Sequence, residues 1–414
     1  VLKPVPCAEA MALIQCILAI GVMQVANTLP SPYREILLFC ICIGVLWGGL
    51  LVEQASKKIS DGPPAPEGWS WREEKEVSPS ISKNKRKRKA KDDEEEDEET
   101  ARARVQPEVL LLPGKGQRSL GVALVPGNPG IPHYYCDFGE ELQKAFENED
   151  LDSPTIYCVG YVNFATRAES QERRQKAGGP LSVVEEAAKV AEVLEELQEA
   201  HPDGFVILGH SIGAWVVLQH LKTRTAEQVH QIPLAVLAMP YLEYRPFSSQ
   251  RLLALPPLFL TRLISLTAAA LPSKLKDLLA LLLSKNPQGS IAHDATVKSF
   301  LSQPHQFTAV LEFYRTEWVR LDAAQQGQGF SECENILKSK RPRILAMYTK
   351  GDMWAPMEHS TQLRGLLSKK DEVIDLCLDP AMKGLEPPSH AFVLSREHCK
   401  QIAGIVAASF AKKR

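Results

Sequence analysis

Residues 205–221, FVILGHSIGAWVVLQHL, decide how the rest of the chain is read. Phe205 to Leu208 form a short apolar run with strand character, and a helical stretch opens after Gly213. Between them stands Gly209-His210-Ser211-Ile212-Gly213, a G-x-S-x-G pattern lodged in a strand-to-helix turn. The turn is so tight that side chains at Gly209 and Gly213 would collide. It lifts the Ser211 hydroxyl clear of the sheet. It also aims a helix N-terminus at whatever Ser211 meets, which favours developing negative charge. His210 sits inside the elbow, where its ring is expected to pack beside Ser211 and not to act as a base.

Working outward, the pattern repeats. The short apolar runs GVALVPG, TIYCVGY, LAVLAMP and RILAMYTKGD alternate with longer stretches, and LSVVEEAAKVAEVLEELQEA at 181–200 has apolar residues at helical spacing. Strands alternating with helices predict an α/β domain built on a mostly parallel sheet, here from residue 107 to 414. In such sheets ligands bind beyond the carboxyl ends of the strands. The chemically interesting residues fall at such ends.

A serine hydroxyl is a weak nucleophile and needs a base held by a third group. The expected chain order is Ser, then acid, then His. Asp352 follows the strand RILAMY and the turn residue Gly351, and is the candidate acid; Asp371, Asp375 and Asp379 are fallbacks. His390, in a loop before the last helical stretch, is the candidate base. His398 falls within that helix and is expected at the surface, while His359 follows Asp352 too closely to partner it. An oxyanion needs two donors. Ile212 N–H is one candidate, and Asn128 N–H in LVPGNPGIPHYY is the other. Gly127 and Gly130 let that loop approach, and Pro129 has no N–H to give. His133, Tyr134 and Tyr135 read as packing residues.

The first 106 residues differ in kind. No charge interrupts residues 10–33, and none interrupts 36–52, ILLFCICIGVLWGGLLV. About 17 to 25 apolar residues cross a bilayer as a helix. Residues 1–52 are therefore expected to form an N-terminal membrane hairpin, with the remainder on the cytosolic, positively flanked side. Residues 53–106 carry DGPPAPEG, then KNKRKRKAK at 83–91, then DDEEEDEE at 92–99, and read as a charged, disordered linker. The basic block could touch anionic headgroups. The chain opens on Val1, which leaves room for residues ahead of it.

Between Pro240 and Arg343 lie about 100 residues, too many for an ordinary connection, so a helical cap insertion is expected at about 241–342. Residues 251–283 are leucine-rich and broken by Pro256, Pro257 and Pro272. Two readings stand: helices packed over the site, or a basic amphipathic surface for a lipid monolayer.

Composition narrows the rest. With 48 Lys+Arg against 50 Asp+Glu, the chain is not built to coat nucleic acid. The 9 cysteines show no metal-knuckle or CxxC spacing, which points to free thiols. The GNPG loop lacks the lysine of a phosphate loop. No metal or other cofactor is expected.

Taken together, VPGNPGIPHYY (125–135), LGHSIGAW (208–215), MYTKGDMWAP (347–356) and SHAF (389–392) resemble the lipid droplet-associated hydrolase family, a branch of the α/β-hydrolases, over about residues 120–412. The resemblance implies an α/β-hydrolase fold and an esterase acting on neutral lipids such as sterol esters or acylglycerols. It further implies association with lipid droplets and the endoplasmic reticulum, and a triad of Ser211, Asp352 and His390. Two other functions stay open at this level: an acyltransferase using the same nucleophile, and a structural droplet or membrane module with little turnover.

Overall fold

The structure is a computed structural model that describes residues 62–73, 98–115, 119–243, 265–284, 288, 290–321, 329–338, 341–379 and 385–412. Its centre is an eight-stranded sheet. The strands are β1 (Ser70–Trp71), β2 (Val109–Leu112), β3 (Leu120–Val125), β4 (Thr155–Val159), β5 (Gly204–His210), β6 (Leu234–Ala238), β7 (Arg343–Tyr348) and β8 (Glu372–Asp375). Their order is β1-β2-β4-β3-β5-β6-β7-β8. The pairs from β4 through β8 are parallel, and only β1–β2 and β2–β4 are antiparallel.

Every residue of β3, β5, β6 and β7 is buried. That is the expected state of central parallel strands covered on both faces, and it explains why they read as continuous apolar runs without alternation. The helix Val183–Glu199 starts on a reciprocal capping box, with Ser182 accepting from Glu185 N–H and the Glu185 side chain accepting from Ser182 N–H. The helix Cys136–Asn148 packs closely against the last helix, Arg396–Ala411, where the rings of Phe146 and Phe410 lie 5.2 Å apart.

The stretch expected as a cap, about 241–342, holds helices among its described residues. Ser273–Ser284, Ile291–Ala295 and Pro304–Leu321 lie in it, with a π-helical turn at Thr296–Phe300. The long cap helix Pro304–Leu321 is tied to the loop after β4, because Gln306 Nε2 donates to the carbonyls of Ala165 (2.9 Å) and Phe164 (3.2 Å). Leu278, Leu281 and Leu282 are exposed on Ser273–Ser284.

The linker expectation is corrected in part. Residues 62–73 pack on the domain instead of hanging free. Trp69 is buried, Ser70 and Trp71 add an edge strand to β2, and Gly62 N–H donates to Thr166 O (2.8 Å). The Arg167 guanidinium lies over the Trp71 ring, and Arg72 pairs with Glu196 at 2.6 Å. A helix, Glu98–Arg104, follows, and Ala101 within it and Val105 just after it are buried. Described residues ahead of 107 thus pack on the domain. The membrane hairpin expected over 1–52 lies outside the described residues. Among the described residues, no helix is long and apolar enough to cross a membrane.

Candidate active site

The elbow forms as the turn chemistry demands. Ser211 has φ 54, a left-handed conformation that a non-glycine residue adopts only at a cost. Its N–H donates to Ala238 O (3.0 Å), and its carbonyl accepts from Tyr241 N–H (3.1 Å). These bonds hold the turn against β6 from both sides. The two flanking glycines are required by backbone contacts. A Cβ on Gly209 would sit 2.6 Å from Ala214 Cα, and one on Gly213 would meet the Val125 and Pro126 carbonyls. The elbow helix Ile212–Lys222 can therefore lie directly against the loop after β3.

Three residues from distant parts of the chain meet here. His390 Nε2 is 3.0 Å from Ser211 Oγ, and His390 Nδ1 is 2.7 Å from Asp352 Oδ2. Asp352 Oδ1 accepts from Trp354 N–H (2.8 Å) and Ala355 N–H (3.1 Å). Burial pushes the Asp352 carboxyl up. The bond and charge of His390 and the two backbone donors outweigh that, and hold it below the ordinary carboxylate range. An imidazole so placed can take the serine proton while the carboxylate fixes its tautomer. Two of the fallback acids bond elsewhere: Asp371 forms a fork with buried Arg341, and Asp375 accepts from Cys377 N–H.

Ile212 N–H belongs to the first turn of the elbow helix, where backbone donors have no intrahelical partner. The loop after β3 runs close to the elbow: a Cβ on Gly127 would stand 2.9 Å from Ser211 Cβ, and one on Gly130 would strike the Tyr161 ring. The Asn128 side chain donates to Val310 O of the long cap helix at 3.0 Å, which ties this loop to the cap. Trp354 borders these three residues, its ring 6.3 Å from that of His390, with Tyr241 and Tyr314 edge-on against it.

Tyr135 and His398 both depart from expectation. Tyr135 was expected to serve packing, yet its hydroxyl accepts from Gly127 N–H (2.7 Å) and lies 2.6 Å from His210 Nδ1. His210 Nε2 is 2.8 Å from the His390 carbonyl. Burial first, and the nearby His390 second, lower the His210 pKa to about 3, so its ring is neutral. His398, expected at the surface, is buried in the last helix. Among the described residues, no cluster of three or more His, Cys, Asp or Glu side chains is placed to hold a metal ion.

A mostly parallel sheet, an elbow serine after β5, an acid after β7 and a histidine before the last helix define an α/β-hydrolase. The chain belongs to the lipid-droplet associated hydrolase family, whose profile matches residues 118–393. The lipid droplet-associated hydrolase of Drosophila melanogaster is 27% identical over 104 residues, 24% of this chain and 32% of that protein. The match thus spans about a third of the relative's length. The peroxisomal α/β-hydrolase Lpx1 of Saccharomyces cerevisiae has a TM-score of 0.50 at 14% identity, covering 74% of this chain and 83% of its own. An esterase from Exiguobacterium antarcticum gives a TM-score of 0.47 at 13% identity, with 74% and 96% covered. At 14% identity the likeness to Lpx1 is one of fold.

Proposed function

We propose that this chain is a serine esterase that hydrolyses neutral-lipid esters, sterol esters or acylglycerols, through an acyl-enzyme on Ser211. The observation that carries the proposal is the unbroken line from Asp352 Oδ2 through the His390 ring to Ser211 Oγ, at 2.7 and 3.0 Å. Ser211 Oγ attacks the ester carbonyl carbon as His390 Nε2 takes its proton. The tetrahedral oxyanion is held by the N–H groups of Ile212 and Asn128. It collapses, the ester C–O bond breaks, and His390 protonates the departing alcohol. Water then repeats the sequence in reverse and frees the acid and Ser211.

The substrate class rests on the family name and on the cap. Leu278, Leu281 and Leu282 stand at helical spacing on one exposed face of a cap helix. Such a face suits a lipid-droplet or endoplasmic reticulum monolayer, and an apolar ester would reach Ser211 from that side. The basic block and the apolar runs of the first half of the sequence would keep the catalytic domain on the cytosolic face.

A fluorophosphonate probe on the full chain is expected to label wild type and not Ser211→Ala. A folded wild type that resists the probe would sink the proposal. A panel of emulsified sterol esters and acylglycerols then names the substrate, and product analysis with added alcohol separates hydrolysis from acyl transfer.

A further inference from the structure

The pair Tyr135 and His210 forms a buried chain of hydrogen bonds that ends on the backbone of His390. Its direction follows from elementary bonding rules. The His390 carbonyl can only accept, so His210 Nε2 must carry the hydrogen of the 2.8 Å contact. A neutral imidazole has one N–H, so His210 Nδ1 is a bare acceptor. The Tyr135 hydroxyl therefore donates to His210 Nδ1 (2.6 Å), and its oxygen is free to accept from Gly127 N–H (2.7 Å). Each donor and each acceptor in the chain is matched, with one hydrogen per contact.

The two ends of this chain are the two parts of the site that must hold still. Gly127 is packed against Ser211 Cβ and is followed by Asn128, the proposed oxyanion donor. His390 is the proposed base. His210 itself precedes Ser211 on β5. Packing locks the ring further: Phe392, two residues after the base, stands edge-on to His210 at 5.0 Å and to Phe138 at 5.2 Å. Tyr135 is 2% exposed and His210 is 5% exposed, so water does not compete for these bonds.

We infer that Tyr135 and His210 are positioning residues that fasten the oxyanion loop and the backbone of the base to the nucleophile strand, so that loop and base keep register as a unit. Neither residue touches substrate. A displacement on the order of 1 Å at a reacting group can cost about a hundredfold in rate, so a brace of this kind acts on kcat more than on binding. The inference rests on the serine esterase reading above.

The test uses the full chain, a soluble p-nitrophenyl ester, and rates normalised to folded sites by fluorophosphonate titration. Tyr135→Phe removes one oxygen and nothing else. It and His210→Phe are each expected to lower kcat roughly tenfold to a hundredfold with KM little changed. The double variant should lose no more than the worse single, because both cut one chain. His210→Gln keeps one acceptor and one donor, and should recover most of the rate lost in His210→Phe. Losses that add in the double variant, a glutamine as impaired as the phenylalanine, or folded variants with wild-type kcat would each overturn the inference. Should His210→Phe not fold, Tyr135→Phe against wild type decides the matter alone. A wild type inert to probe and ester overturns the esterase reading and the brace with it, whereas an active wild type with unaltered variants overturns only the brace.

Discussion

Asp352 offers its two oxygens to different partners: Oδ1 accepts the N–H groups of Trp354 and Ala355, and Oδ2 faces His390 Nδ1 at 2.7 Å. The backbone donors fix which oxygen is which. In Asp352→Asn the amide oxygen must stay on those N–H groups, so the NH2 group turns toward His390. His390 Nδ1 then becomes an acceptor, and its hydrogen moves to Nε2, where it meets Ser211 Oγ. The base cannot take a proton from that tautomer. The variant is expected to fold and to lose on the order of 10⁴ in kcat. Steady-state kinetics on a soluble ester check this, and a loss under about tenfold would remove Asp352 from the role.

The elbow should not tolerate a methyl group. In Gly209→Ala the new Cβ would lie 2.6 Å from Ala214 Cα, a backbone atom that cannot rotate away. The helix must shift or the strand must bend, at a cost of about 1–3 kcal/mol for overpacking. A lower midpoint in urea is expected together with a fall in probe labelling, since Ser211 rides on the same turn. Unchanged stability and labelling would show that the turn relaxes freely.

Trp69 tests whether the segment ahead of β2 is part of the domain. It is 6% exposed, its ring stands above Gly139 of the helix Cys136–Asn148, and its indole N–H reaches Glu140. Trp69→Ala is expected to cost about 3–5 kcal/mol, as for a large core side chain. A free linker would show a change near zero. Denaturant unfolding of the two proteins distinguishes these outcomes.

Glu317 gives the stability a slope in pH. Burial pushes its carboxyl up to about 8, although the Asn128 amide lowers it. An unfolded glutamate titrates near about 4.3. Between these values the folded chain binds the extra proton, so stability is full below about 4.3 and falls as pH rises toward about 8. Glu317→Gln mimics the protonated acid and should flatten the slope, with a gain at pH about 9 that exceeds about 1.4 kcal/mol, the worth of one pKa unit. Urea midpoints at acid and alkaline pH measure it, and equal slopes in both proteins would contradict it.

Much of the site was legible because its parts are local. Ser211 is marked by two glycines and a strand-to-helix switch, Asp352 by a strand end and Gly351, and His390 by the loop before the last helix. Each motif lies within a few residues of chain, and each residue type is required by the chemistry. The edge strand was missed because Ser70–Trp71 is too short for a period to show and is flanked by polar chain. Two tryptophans spaced by one residue in GWSWR were the available signal. The exposed leucines of the cap were visible as composition only, since a leucine-rich run reads alike whether its face meets protein or lipid.

What the sequence determined by itself was the central parallel strands, the turn that carries Ser211 and the candidates for its acid and base, because period, turn chemistry and residue type are properties of short segments. The tertiary structure alone decided how they are held. Tyr135 meets His210 across 75 residues, and His210 meets His390 across 180. The last bond ends on a backbone carbonyl, a group every residue carries. Such a contact leaves no residue-type signature, and only folding, which brings β5 and the His390 loop together, makes it exist.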